Sequence, residues 1–396
     1  MAGEPDAADA EAAKRALAVV PAWTALSSAR DAVGLERDVL LHAGPPFATA
    51  AGTTKPILNS ACVAAVFEGL AGSLDEAEAM LLAGRIRLVP AQDRDVVTPL
   101  AAVVSASMTV HVVADRKGSG AVAYAPINGG SRPAMRLGLK SEAVVDHIRW
   151  LNGPFAAALA AALTEGVDLL PLAAGGLKAG DDCHGRTPAA TALLVEKLRA
   201  AAPGAFDEEA LDFMNASPSL FLNLWMAATK CMMVAARGVA KSSFVVAAAG
   251  NGHQTGIQVS GLPGRWFTHP ASPPQGRFDV DLPASRALGA IGDSAVVDAM
   301  GLGAMAIAGS QAQLKLLGPY LPADGLARPE LLLCSVYPAF AGLKLGLTAR
   351  RVARAGRGPI VSLGILDRDG TAGRLGGGIY DMPAAPFAAA VAALEG

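Results

Sequence analysis

The most apolar stretch of the chain, residues 221–250, is interrupted by Lys230, Arg237 and Lys241. A helix crossing a bilayer needs about 18 or more uncharged apolar residues in a row, and each charge held in hydrocarbon costs roughly 3 kcal/mol. A segment broken in this way has to bury itself against the rest of its own chain. Residues 299–314 form a second apolar stretch, shorter and carrying Ser310, Gln311 and Gln313. Both read as core elements, and no membrane partner is expected. The chain has the material for such a core: 52% of its 396 residues are hydrophobic and 17% charged, enough apolar surface to offset chain entropy. That length exceeds what one core usually supports, so two or three subdomains sharing an interface are expected.

Charge and cysteine content narrow the function classes. Thirty-three Lys and Arg against 35 Asp and Glu give a net charge of −2, without the basic excess of a nucleic-acid binder. The N-terminus is acidic and alanine-rich, with no basic start leading into an apolar stretch as a secretory signal has, so a cytoplasmic location is expected. Cys62, Cys183, Cys231 and Cys334 lie far apart with no C-x-x-C pair, which argues for reduced thiols rather than a disulfide framework or a zinc site. The histidines show no H-E-x-x-H or other ligand spacing, so no protein-held metal and no cofactor is expected.

Strand signals come in local pairs. TVHVVAD and AVAYAPI flank Arg116–Gly120, SSFVVAAAG and TGIQVSG flank Asn251–Gln254, and GPIVSLGIL and RLGGGIY flank Asp367–Gly370. Apolar runs joined by short glycine-containing loops predict antiparallel hairpins. Helix signals lie between them. Ser73 with Glu76 forms a capping box, Ser141 opens a helix that Gly153 can stop, and Thr187-Pro188 and Ser217-Pro218 read as N-caps with proline in the first turn. The helix after Ser217 can run to Gly238. The pattern predicts an α+β fold with mostly antiparallel hairpins, divided into an N-terminal α+β region (1–140), a helical region (141–238) and a C-terminal α+β region (239–396).

The densest polar cluster is Gly180-Asp181-Asp182-Cys183-His184-Gly185-Arg186, just before the Thr187-Pro188 helix start. Free N–H groups there favour an anion, Arg186 adds a planar fork, and His184 could act as acid or base with Asp181 or Asp182 orienting it. The same residues would also make an ordinary solvated capping loop. In the helix FLNLWMAATKCMM, Asn223 and Lys230 share one face, and the lysine either snorkels to solvent or reaches a buried anion. Glycine-rich loops carry Asn128, Asn251 with Gly252, and Gly376–Gly378; a polar loop carries Asp293 and Ser294; and Arg265 precedes Trp266. Gly301–Ala306 matches G-x-G-x-x-A but no clear strand precedes it, so it is not read as a dinucleotide site.

In order along the chain, HAGPP at 42–46, FEGLA at 67–71, INGG at 127–130, MRLG at 135–138, GDDCHGR at 180–186, FLNLWMAATK at 221–230, GIQVSG at 256–261, RWFT at 265–268 and GDSAVVDAMGLGAMA at 292–306 resemble a bacterial family. Its best-known members are a subunit of the oxamate carbamoyltransferase of allantoin catabolism. The resemblance implies carbamoyl transfer between oxamate and phosphate, physiologically phosphorolysis of oxalurate to oxamate and carbamoyl phosphate, in an assembly with two other kinds of subunit. On that footing, Arg136, Arg186, Lys230 and Arg265 are candidates for the anionic groups, and Asn128, Asn223 and Gly252 for the carbamoyl oxygen. Asn251, Asp293 and Ser294 are further substrate-binding candidates, and His184, Asp182 and Lys230 the catalytic ones. The expected partners are a small anionic substrate, other subunits and further copies of the chain.

The chain departs from the family where a histidine-rich segment is replaced by Ala91–Asp95, where G-P-M becomes Thr98-Pro99-Leu100, where N-E-G becomes Asn128-Gly129-Gly130, where alanine-histidine becomes Leu366-Asp367, and where a glutamate is shortened to Asp298. These departures keep two other readings open: a non-catalytic assembly or ligand-binding subunit, and a divergent amidohydrolase or tailoring enzyme.

Overall fold

The computed structural model describes residues 6–130, 133–340 and 342–396. Each of the three paired apolar runs folds back as an antiparallel hairpin: Thr109–Asp115 on Val122–Pro126, Val245–Asn251 on Gln254–Val259, and Ile360–Leu366 on Arg374–Asp381. An acid or amide closes each turn. Asp115 accepts from the N–H groups of Lys117 and Ser119, Asn251 from His253 and Gln254, and Asp367 from Thr371 and Ala372. These side chains satisfy turn amides that strand pairing leaves open.

The hairpins grow into small sheets. Pro21–Ser28 and Val167–Asp168 extend the first to four strands, Phe267–Pro270 and Ile291–Gly292 extend the second to four, and Gln275–Phe278 makes the third three-stranded. The fold is α+β. One pair departs from the antiparallel rule: Val39–His42 runs parallel to Arg87–Pro90, and the helices Lys55–Phe67 and Leu74–Leu82 supply the crossover that parallel strands require.

Through the middle passes the helix Leu220–Ala236, rich in Leu, Met and Ala and buried along most of its length. It packs on the first hairpin, on the second through Val245–Asn251, and on the helices Ala7–Ala18 and Ala295–Met300. A single cluster of buried side chains extends from Ala12 through Phe221 and Trp225 to Phe387. Among the described residues no single helix is long and apolar enough to cross a membrane.

Helix ends differ from expectation in two places. The helix opened by Ser141 does not stop at Gly153: Glu142–Trp150 continues through a wide π-turn, Leu151–Phe155, into Ala156–Ala162. Trp150 and Phe155 stack with ring centroids 5.1 Å apart and both pack on Phe213, while Asn152 accepts from the Thr109 N–H at 2.6 Å. Tertiary packing thus overrides the local stop signal. Ser217 does not cap the long helix either; its hydroxyl donates to Phe213 O and accepts from the Gly130 N–H, and the helix begins one turn later after Ser219.

Candidate active site

The loop 181–187 is folded by its own acids. Asp182 Oδ1 accepts from the N–H groups of His184 at 2.8 Å and Arg186 at 2.9 Å, and Asp181 Oδ2 accepts from the Ala190 N–H at 2.9 Å, tying the loop to the helix Pro188–Ala201. Cys183 adopts a left-handed φ of 64° and is buried with its Sγ towards Ala173 O. Burial pushes its thiol well up, and the nearby acids add to that, so it is no thiolate nucleophile.

With Cys183 turned inward, His184 faces a cavity of about 260 Å³. Its Nδ1 lies 2.5 Å from Oδ2 of Asp298, a fully buried carboxylate on Ala295–Met300. Asp298 Oδ1 accepts from the N–H groups of Ala304 and Ser362, which fixes the carboxylate. Space around the pair is tight: a Cβ on Gly303, at φ +59°, would fall 2.4 Å from Asp298 Oδ1 and 2.7 Å from His184 Cβ. Burial pulls the imidazole down, but the charge and hydrogen bond of Asp298, with Asp182 behind it, outweigh burial and hold His184 above its ordinary range. The Nε2 atom has no hydrogen-bond partner among the described residues.

Arg136 lines the same cavity. Its Nη1 donates to Asn128 Oδ1 at 3.3 Å and Gly129 O at 2.8 Å, and its Nη2 to Gly130 O. Among the described residues no carboxylate pairs with it, and its Nε–H has no partner. Burial and the like charge of Arg374, also in the cavity wall, pull its pKa down to about 10. Asn223, on the first turns of the central helix, donates to Asn128 O at 2.7 Å and so ties the Asn128 loop to that helix. Because the Asn128 oxygen is taken by Arg136, its NH₂ is left for another acceptor. Ser219, Ser294 and Gln313 add polar groups, and Leu100, Leu222 and Leu317 supply apolar wall.

Asn128, Arg136, His184, Asn223 and Ser294 therefore converge on one cavity. Asp182 stands behind it as the acid that shapes the His184 loop, and Arg186 lies outside, exposed, 3.8 Å from Asp181. Lys230 is buried elsewhere, donating to Val246 O at 3.0 Å and Gln92 Oε1 at 3.3 Å, and burial pulls its pKa down to about 8. Gln92 in turn donates to Asp293, which also accepts from Gly44 N, Thr98 N and Thr98 Oγ1; burial pushes that carboxyl up to about 6 despite these bonds. The Lys230–Gln92–Asp293 chain joins the central helix to segments before and after it in the sequence. Asn251 and Gly252 form the turn of the second hairpin, with Asn251 also donating to Pro45 O. Arg265 sits exposed over the Phe267 ring at 4.9 Å.

Asp298 and Arg374 are the two charged site residues that sequence reasoning did not select. Asp298 stood out only as the residue where the resemblance places a glutamate, and Arg374 only as a neighbour of Gly376–Gly378. A larger depression of about 750 Å³, between Pro188–Ala201 and Glu208–Asn215, contains no His–Asp pair.

Fold and site together define an α+β protein in which an uncompensated arginine and a His–Asp pair share one small cavity. Residues 86–294 match the family described as oxamate carbamoyltransferase subunit AllG. The chain is 34% identical over 385 residues to the oxamate carbamoyltransferase subunit AllG of Escherichia coli, covering 91% of this chain and 90% of that one. It is 32% identical over 409 residues to the uncharacterized protein YahG of the same species, covering 97% of this chain and 85% of YahG. A crystal structure of a conserved protein of unknown function from Enterococcus faecalis matches with a TM-score of 0.91 and 28% identity, covering 98% of this chain and 97% of that one. The chain belongs to the AllG family of oxamate carbamoyltransferase subunits.

Proposed function

We propose that the His184 cavity is a carbamoyl-transfer site, acting on an N-carbamoyl oxamate (oxalurate) with phosphate, within an assembly of unlike subunits. The observation that carries this reading is Arg136: a part-buried guanidinium with no carboxylate partner among the described residues, in one cavity with His184, which Asp298 backs. A cation drawn partly out of water without a counter-ion is costly unless a bound anion supplies one. The Nε–H and Nη2–H edge of arginine suits a planar carboxylate.

In this reading Arg136 holds the oxamate carboxylate and the Asn128 NH₂ donates to the carbamoyl oxygen as negative charge builds there. A phosphate oxygen attacks the carbamoyl carbon, the C–O bond forms, and the C–N bond to the oxamate nitrogen breaks. His184, held protonated by Asp298, gives its Nε2 proton to that nitrogen and receives the phosphate proton in return. Oxamate and carbamoyl phosphate leave, and atoms and charge balance. Asn223 acts by positioning Asn128.

The test is phosphate-dependent release of carbamoyl phosphate from oxalurate by the chain, alone and with its partner subunits. His184→Ala should lower turnover by about 10²–10⁴-fold, the usual worth of a general acid, with a much smaller change in melting temperature. Arg136→Gln should chiefly raise KM for the carboxylate substrate. Turnover unchanged in both variants would refute the reading.

A further inference from the structure

We infer that Arg374 is a second anion-binding residue of the His184 cavity, restrained by Asp279 and seated on a floor of two glycines, so that the cavity takes two anionic groups at once. The inference deepens the carbamoyl-transfer reading and rests on it.

The floor is built by strand pairing. Gly364 and Gly377 lie opposite each other across the third hairpin. A Cβ on Gly377 would fall 3.1 Å from Arg374 Nη2, and one on Gly364 would fall 3.7 Å from Arg374 Nε and 3.3 Å from Leu100 Cδ1. A side chain at Gly377 would press on the guanidinium, and one at Gly364 would press on Leu100 and touch the arginine; without them the guanidinium lies against the strands at the cavity wall. Glycine inside a strand forfeits packing and costs chain entropy, so a facing pair of them marks a place where something else needs the room.

The restraint lies outside. Arg374 Nη1 pairs with Asp279 Oδ2 at 2.8 Å, where both side chains are nearly half exposed and Asp279 does not line the cavity. Asp279 is also 3.8 Å from Arg277, so its charge is shared. Such a surface pair is worth little on its own, roughly 0–1 kcal/mol. Arg374 thus brings a second positive charge beside Arg136 that nothing within the cavity neutralises among the described residues, and the two repel. One anion relieves one arginine. Relieving both takes two anionic groups, which a carboxylate and a phosphate bound together provide, and such a complex allows transfer from one directly to the other.

The experiment is calorimetric titration of the whole chain with oxamate and with inorganic phosphate, each alone and each in the presence of the other. The proteins are wild type, Arg374→Gln, Asp279→Asn and Arg136→Gln, each checked by its thermal melt. The expected result is simultaneous binding by wild type, at least a tenfold loss of affinity for one anion in Arg374→Gln with the other kept, and a several-fold gain for that same anion in Asp279→Asn. Arg136→Gln should weaken the anion that Arg374→Gln spares. Unchanged affinities in Arg374→Gln, with both anions still bound together, would overturn this inference while leaving the carbamoyl-transfer reading standing; competition between the two anions would overturn both. Binding of neither anion by wild type, alone or in its assembly, would overturn both.

Discussion

Replacing Asp298 by asparagine changes one atom in the wall behind His184. The amide oxygen of the new side chain can keep the N–H groups of Ala304 and Ser362, but its NH₂ would face His184 Nδ1, now 2.5 Å from a carboxylate oxygen. The ring must then accept at Nδ1, and a charge-assisted bond becomes a neutral one. The difference between those bond classes is about 1–2 kcal/mol of stability. The effect on turnover is larger, because the imidazolium loses the charge that holds its proton and the ring takes the opposite tautomer; a fall of about 10³–10⁴-fold is expected, or roughly 4–5.5 kcal/mol in the barrier.

The pH dependence is the sharper readout. In the wild type His184 lies above its ordinary range, so its acid form persists to higher pH, and activity falls as pH rises through the raised value. In the variant burial is left to pull the ring down, and that limb should move towards acid. Stability follows the same sign. The contribution of the pair is fully present below the unfolded imidazole value of about 6.5, is lost as pH rises through the folded value, and should be missing from Asp298→Asn. Steady-state rates from pH 5 to 9 with parallel urea melts would decide the matter. A variant that keeps more than about a tenth of wild-type turnover with an unmoved limb would refute the role given to the pair.

Lys230→Met should leave turnover per folded molecule unchanged, since Nζ contacts Gln92 and Val246 outside the cavity, but should cost about 2–4 kcal/mol because both acceptors lose their donor. Because the folded lysine releases its proton near 8 and an unfolded one near 10.4, the advantage of wild type over this variant should grow as pH rises between those values; urea titrations at pH 7 and 9.5 check it. Asp367→Asn should cost about 2–3 kcal/mol at pH 7, because Arg286 loses its buried carboxylate and keeps only the exposed Asp369, and the turn loses its cap. Although burial pushes the other way, Arg286 and the Thr371 and Ala372 amides hold Asp367 well below the usual carboxylate range, so that difference should shrink as pH falls below about 4, seen by comparing melts at pH 3 and 7.

The hairpins were legible because alternation, glycine and a turn-closing acid or amide all act within about 20 residues of chain. Ser73 also behaves as read, accepting from the Glu76 N–H at 3.1 Å, although Glu76 reaches back to Gly72 rather than to Ser73 itself. The stop at Gly153 was not legible as false, because what carries the helix past it is Phe213, sixty residues on in the sequence, and an asparagine clasping another strand. The site shows the same division. Polar clusters beside glycines pointed to Asn128, His184 and Ser294, a shared helix face to Asn223 and the family resemblance to Arg136, and all five line the cavity. No local pattern marks an aspartate inside AVVDAM or an arginine ahead of a glycine run; Asp298 meets His184 across 114 positions. Lys230 and Asp293 looked like site residues for the same reason that any buried charge does, and the amide of Gln92, which links them away from the cavity, carries no signal of its own.

The meeting of residues 128, 136, 184, 298 and 374 around one cavity has a kinetic consequence. Loop closure over such separations costs chain entropy before any contact repays it, so these pairings form late while hairpins and helices form early. An intermediate with its hairpins and central helix in place would have near-native circular dichroism and yet no site. During refolding, ligand binding should therefore appear only in the slowest phase, and any chain nicked between residues 136 and 298 could regain it only by reassembling its pieces.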